Sequence, residues 1–323
     1  MKLFIFVLLC FSQISAAQNY SYIWGMHFPK LIDPSEVCCF DYDNDSTPDD
    51  GLGAVLLNSQ GNNDFQASID LALLENNIIK AFDWHNLDLN QTNQSFNFGL
   101  IDAQTLTPNL SLANRMAGLS QIYLPSLTTT NIFNAQLNNN TITATASEIS
   151  GLLNLQFDTQ QGLTPLTLTD VKVEALLELN PNNVAAGIYT TDIAATSPAV
   201  VGGMKIGGIL ASDEFLGVLD TQYRTCQCAG IDAASPFITS SVNTFFNTIV
   251  VSCAQTNLTP ANCPANSFCS TASDFCTNAI GLGTTFDIDT DNDNVKDAYS
   301  VALRYAAAAT TVVDIIFIDG FEL

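Results

Sequence analysis

Two short segments, one near each end of the chain, carry the residues best placed for chemistry. FDYDNDSTPDDGLGAVL begins at Phe40 and IDTDNDNVKDAYSVAL at Ile288, and both spell Asp-x-Asp-x-Asp-x-x-x-Asp ahead of an apolar stretch. The frame places Asp41, Asp43, Asp45 and Asp49 in the first loop and Asp289, Asp291, Asp293 and Asp297 in the second. Calcium is a hard ion that takes roughly six to eight oxygens at about 2.3–2.6 Å, and alternating Asp residues in a tight turn bring several carboxylates round one point. The seventh position of such a loop adds a backbone carbonyl, here Thr47 or Val295. Four like charges this close repel strongly without a cation. Calcium is therefore the expected cofactor and these residues its expected ligands. A solvated acidic turn is the plain alternative, and the same spacing occurring twice weighs against it. The last Asp of each loop is also placed to cap a following helix.

The loops resemble those of thrombospondin type 3 repeats and of EF-hand-like calcium modules, in which a DxDxDxxxD run wraps the ion. The likeness covers the two nine-residue loops and departs from the pattern twice. Position 6, usually glycine, is Ser46 or Asn294, and position 12, usually acidic, is Leu52 or Ser300. Loss of the acid at position 12 implies weak, extracellular-class affinity unless Asp50 or Asp287 completes the shell. The wider layout is similar to a loosely defined group of uncharacterised secreted bacterial proteins. Its marks here are the Cys-Phe-Asp-x-Asp-x-Asp segment from Cys39, a β-rich middle, the second acidic loop and the terminal Phe317-Ile318-Asp319-Gly320-Phe321-Glu322. The likeness implies an extracellular location and supplies no activity.

Other reactive constellations are sparse. There is no GxSxG elbow, phosphate loop or HExxH. His27 and His85 are the two histidines, and His85 follows Asp83 and Trp84; a surface or edge-strand role is the plainer reading of both. Carboxylates paired in space for glycoside hydrolysis leave no spacing signal. Beyond Cys10 there are eight cysteines: Cys38, Cys39, Cys226, Cys228, Cys253, Cys263, Cys269 and Cys276. An even count in an exported chain reads as disulfides, with the last four expected to pair among themselves and the Cys38-Cys39 doublet with Cys226 and Cys228. No CxxC pair supports the rival zinc reading.

The elements that would position these groups follow from periodicity. Residues 1–17 combine Lys2, an apolar run and small residues at Ser15 and Ala17, the layout of a secretory signal cleaved after Ala17. A lipid anchor at Cys10 ranks behind it, because Leu9 is large for that cleavage. Residues 18–323 read as one composite domain. Phe65, Ile69, Ala72 and Leu73 predict a helix, whereas Phe96-Phe98-Leu100, Leu153-Leu155-Phe157 and Val171-Val173-Ala175-Leu177-Leu179 alternate as strands. An antiparallel β-sandwich or jelly-roll-like core over about 78–205 is the expected architecture, with a few flanking helices. Spacing predicts helices over Ile238–Ile249 and Ala298–Ala309, a Cys-rich segment over 226–276, and a second loop with its terminal helix over 289–310.

Nine basic against 32 acidic residues give a formal charge of −23, so nucleic acid and anionic lipid surfaces are improbable partners. No stretch predicts a membrane span. The expected protein is secreted or cell-surface. Three roles fit: a calcium-stabilised structural or adhesive protein, a carbohydrate-binding β-sandwich, or a hydrolase using carboxylates. The second wants exposed aromatics, and Trp24 and Trp84 are the two tryptophans. Extracellular glycans and surface proteins are the partners in view, and a non-enzymatic role is favoured over the hydrolase.

Overall fold

A computed structural model describes residues 19–27, 40–58, 80–85, 87–88, 91–105, 121–123, 130–139, 141–155, 164–176, 204–265, 267–309 and 311–312. The signal segment, Cys38 and Cys39, the helix expected over 65–73 and the terminal tail lie outside the described residues. The chain enters through β1 (Asn19–His27), forms α1 (Gly51–Asn58), and then runs through β2 (Lys80–His85), β3 (Asn93–Asp102), β4 (Gln104–Thr105) and β5 (Gln121–Tyr123). It continues with β6 (Thr130–Asn138), β7 (Thr141–Leu155), β8 (Thr164–Leu176), β9 (Met204–Ala211) and α2 (Ser212–Tyr223). The hairpin β10 (Ile238–Asn243) and β11 (Thr248–Cys253), α3 (Ala272–Leu282), β12 (Ala298–Ala309) and β13 (Thr311–Val312) complete it.

The mainly β expectation holds, with flanking helices and a disulfide-rich segment, and the antiparallel main sheet is closed. Its order is β1-β12-β9-β8-β7-β6-β3-β2, with β2 pairing back to β1. The strands expected between 78 and 205 thus form most of the wall, and β1 and β12 from the two ends of the chain close it.

Alternation decides which face turns inward. Phe98 on β3 lies opposite Trp84 and Phe133, and all three are buried. The Phe98 and Phe133 rings stack with centroids 4.4 Å apart, and Trp84 lies 4.7 Å from Phe98. Such pairs add about 0.5–1.5 kcal/mol each beyond area burial. One level along, Phe96, Ala135, Ala144, Val173, Ile206 and Leu303 form a buried row across six strands. The intervening residues Asn97, Asn134, Gln136, Thr143, Thr145 and Glu174 are exposed. The interior is therefore apolar and the outer wall polar.

Two helix expectations are overturned. Ile238–Ile249 is the β10–β11 hairpin, in which Ile238 pairs with Cys253 and Val242 with Ile249. Its Thr, Ile and Val residues are β-branched and suit strands, and Phe245 and Phe246 stand exposed at the turn instead of facing a core. Ala298–Ala309 is strand β12, because both of its edges pair, with β1 and β9, and both faces of Ala298–Leu303 are buried. Tertiary pairing outweighs the helix propensity of its alanines.

The disulfide pairing also differs from expectation. Cys226 bonds Cys269, Cys228 bonds Cys263 and Cys253 bonds Cys276, so of the last four cysteines only Cys253 and Cys276 pair with each other, and Cys226 and Cys228 pair with Cys269 and Cys263 instead of the Cys38-Cys39 doublet. The cause is α2, which packs Phe215 edge-on against Tyr299 and carries the chain to Cys226 beside the 260–276 segment. Tyr223 closes α2 with its ring against Phe237, Phe268 and Phe275. Asp220 accepts the backbone N–H groups of Phe237 and Ile238 and fixes the start of the hairpin.

Candidate metal centre

The two acidic loops share five hydrogen bonds position for position, while Asn292 N–H donates to Asp289 Oδ1 in the second alone and Asp43 N–H to Asp49 Oδ2 in the first alone. In the first, Ser46 N–H donates to Asp41 Oδ2 at 2.9 Å, Asp45 N–H to Asp43 Oδ1 at 3.1 Å, and Thr47 N–H to Asp45 Oδ1 at 2.7 Å. In the second, Asn294 N–H donates to Asp289 Oδ2 at 2.9 Å, Asp293 N–H to Asp291 Oδ1 at 3.2 Å, and Val295 N–H to Asp293 Oδ1 at 2.7 Å. The final Asp of each frame turns back to the second residue. Asp49 accepts Tyr42 N–H at 2.6 Å, and Asp297 accepts Thr290 N–H at 3.0 Å. A backbone bond closes each loop: Asp49 N–H to the Phe40 carbonyl and Asp297 N–H to the Ile288 carbonyl.

The winding needs left-handed backbone at two places. Asn44 and Asn292 have φ of 62° and 63°, and Ser46 and Asn294 have φ of 72° and 69°. Asn tolerates that region better than other non-glycine residues, so the Ser46 conformation carries the larger backbone cost. The first loop adopts it all the same, held by the Asp41 carboxylate.

Each loop gathers three carboxylates closely enough to share one ion. Asp41, Asp43 and Asp49 bring ligand oxygens within 4.8 Å of one another in the first, and Asp289, Asp291 and Asp293 do so in the second. Asp45 and Asp297 stand outside these triads; Asp45 holds the Thr47 amide, and Asp297 holds Thr290 through both its amide and its hydroxyl. The donor set suits a hard cation. Asp41 Oδ1 is buried without a hydrogen-bond partner, as an oxygen aimed at an ion would be. Burial pushes the Asp49 carboxyl above the ordinary range, and the neighbouring Asp43 and Asp41 charges add to it. At Asp291 the Asp293 amide favours the charged form, yet desolvation and the Asp293, Asp297 and Asp289 charges together raise it. Both groups are held in a state that a divalent cation would relieve.

Position 12 supplies no ligand in either loop. Leu52 and Ser300 are fully buried, and the two acids that might have replaced them are engaged in the fold. Asp50 accepts Gly53 N–H at 3.0 Å and Ala302 N–H at 3.3 Å, with its second oxygen buried and without a hydrogen-bond partner. Asp287 accepts both the amide and the hydroxyl of Ser300, and Gly51 N–H donates to that hydroxyl at 2.8 Å. Burial raises Asp50 to about 7 and also raises Asp287, each carboxylate feeling the charge of a neighbouring one. The 49–52 and 287–300 segments thus meet at the start of β12, although about 240 residues separate them in the chain.

Neighbouring elements fix both loops in place. Phe40 and Tyr42 lie on the outer wall over Gly207, where a Cβ would come within 2.5 Å of the Phe40 ring. Lys172 Nζ sits 4.2 Å from the centroid of the Tyr42 ring. The second loop bridges to β11 through Lys296 and Thr248, and its Asp297 carbonyl accepts Ser212 N–H at the head of α2. No helix follows the second loop, so Asp297 is not a helix cap.

His27 and His85 lie on β1 and β2. Trp84 is an interior residue and offers no surface platform. Comparisons with family models, curated proteins and solved structures gave no match.

Proposed function

We propose that each Asp-rich loop binds one calcium ion, and that the ions brace the barrel of an exported structural or adhesive protein. The observation that carries this reading is the duplication: two loops from opposite ends of the chain repeat the same frame, five of the same hydrogen bonds and the same two left-handed positions. Exposed acidic turns are common without a metal, but independent turns have no reason to coincide in this detail. In the first loop Asp41, Asp43 and Asp49 hold the ion with the Thr47 carbonyl; in the second, Asp289, Asp291 and Asp293 hold it with the Val295 carbonyl. Water fills the positions left by the missing twelfth-position acid, which places affinity in the weak extracellular class. The three disulfides are compatible with an oxidising compartment. Among the described residues no helix is long and apolar enough to cross a membrane.

Thermal unfolding in calcium and in chelator tests the reading, with isothermal titration counting the sites. Calcium at a hundred times its Kd should add about 2.7 kcal/mol per site. Asp43→Asn and Asp291→Asn should each remove one of two titrating sites. An unchanged midpoint with calcium would refute the proposal.

A further inference from the structure

The outer wall of the barrel carries a groove of about 630 Å³ that the calcium loops do not account for. That volume lies within the roughly 300–1,000 Å³ of small-ligand sites. Its floor crosses β3, β6, β7 and β8, and its polar lining comes in two rows set by strand register. Asn97, Asn134, Thr145 and Lys172 are successive cross-strand partners, and so are Ser95, Gln136, Thr143 and Glu174. Four strands about 4.8 Å apart make each row roughly 14 Å long. One end of the groove is bounded by Phe40, the residue that opens the first acidic loop.

The lining chemistry selects the ligand. Side-chain amides and hydroxyls both donate and accept, and they are spread along a line instead of converging on one point. A polyhydroxylated chain, with donors and acceptors repeating along it, matches such rows, and a ring such as Phe40 can pack against the C–H face of a sugar. Net charge of −23 disfavours an acidic polymer. The charged residues that line the groove are paired, Lys172 with Asp170 and Glu174 with Lys205, each at 3.6 Å. A peptide could not extend the main sheet by strand addition, because a closed sheet has no free edge.

We propose that this groove binds a neutral oligosaccharide, and that calcium in the first acidic loop holds its Phe40 wall in place. The second clause rests on the calcium reading above; the first does not. Phe40 connects the two sites through its carbonyl, which accepts the Asp49 N–H that closes the metal loop, and through its ring packed over Gly207.

The test is binding of the full chain to neutral hexasaccharides of β-glucan, α-glucan, mannan and chitin linkage, in calcium and in chelator. The Asn134→Ala/Gln136→Ala double variant is run alongside, with thermal midpoints recorded for every condition. At least one hexasaccharide should bind in calcium, and both the double variant and the chelator should weaken it by about tenfold or more. The double variant should keep the parental midpoint and its calcium shift, since both side chains are exposed. No hexasaccharide binding, or binding that the double variant leaves intact, overturns the groove assignment. Binding that survives chelation overturns its dependence on calcium. A calcium-induced midpoint shift without sugar binding sinks this inference alone, whereas absence of the shift sinks the calcium reading.

Discussion

In the absence of calcium the protein should lose stability as pH rises from about 4 to about 7, and Asp50 should account for much of the loss. Asp50 is 2% exposed, one of its oxygens has no hydrogen-bond partner, and burial raises its carboxyl from 3.8 to about 7. A raised acid in the folded state keeps its proton at pH values where the unfolded chain has already released it. The unfolded state then binds fewer protons, so stability falls with rising pH between the two values and levels off above the folded one. A shift of roughly three units at about 1.4 kcal/mol each sets an upper bound on the order of 4 kcal/mol for this group. The raised carboxyls of Asp49 and Asp287 act with the same sign at the lower end of the window. Asp50→Asn keeps the acceptor for Gly53 and Ala302 and removes the charge. Urea unfolding in chelator, followed by fluorescence of buried Trp84, should show a steep fall in the parent over this range and a clearly shallower one in the variant. Equal slopes would refute the view that Asp50 is a buried, charge-frustrated carboxyl. With calcium present the trend should weaken, since the ion binds the ionised ligands and gains affinity as they deprotonate.

Other consequences are local. Gly207→Val puts side-chain atoms where the Phe40 ring and Tyr42 hydroxyl lie, so titration calorimetry should find the first-loop calcium site weakened and the second unchanged. Removing the Cys253–Cys276 bond by double Ser substitution should cost about 3 kcal/mol in chemical unfolding, for its separation of 23 residues. Phe245→Ser with Phe246→Ser should leave the midpoint within about 0.5 kcal/mol of the parent while reducing dye binding, because both rings are exposed at the hairpin turn. Chelation should speed hydrogen exchange at the Ala298–Leu303 amides of β12 before those of β7 and β8; uniform acceleration would contradict a brace localised at the loops.

The parts of this molecule that were legible in sequence are those governed by local rules. The alternation at Val171, Val173 and Ala175 names buried residues correctly because the side-chain period of a strand is two wherever the sheet goes. The acidic frames were legible for the same reason, since their turns are stitched by side chains two to seven residues away. The errors fall where a distant partner decides. Ile238–Ile249 has helical spacing, but the hairpin buries Ile238 and Ile249 while leaving Val242 and the Phe pair outside. Ala298–Ala309 has helical composition and is recruited as a strand by β1 and β9. The disulfides of Cys226 and Cys228 followed α2 and not sequence proximity, whereas Cys253–Cys276 joins two of the last four cysteines. The bonds of Gly51 with Ser300 and of Asp50 with Ala302 join residues 249 and 252 positions apart and have no local signature.

Those bonds account for the placement of the two acidic loops. A closed barrel must join its first strand to its last, and here β12 is the strand with β1 on one side and β9 on the other. Joining chain ends so far apart is entropically costly and is repaid only when the final ladder forms. The second acidic loop leads directly into β12 through its Ile288–Ala298 bridge, and the first is followed by Asp50, Gly51 and Leu52 packed against Ser300 and Ala302 of the same strand. The closing strand is thus gripped at one end by two clusters of like charge, and Asp49 and Asp287 feel each other across the gap. That repulsion opposes the hydrogen bonds that hold Asp50 and Gly51 against β12. If the proposed cation occupies each loop it cancels that repulsion and turns the same residues into fasteners, and on that proposal barrel closure and calcium occupancy are linked equilibria.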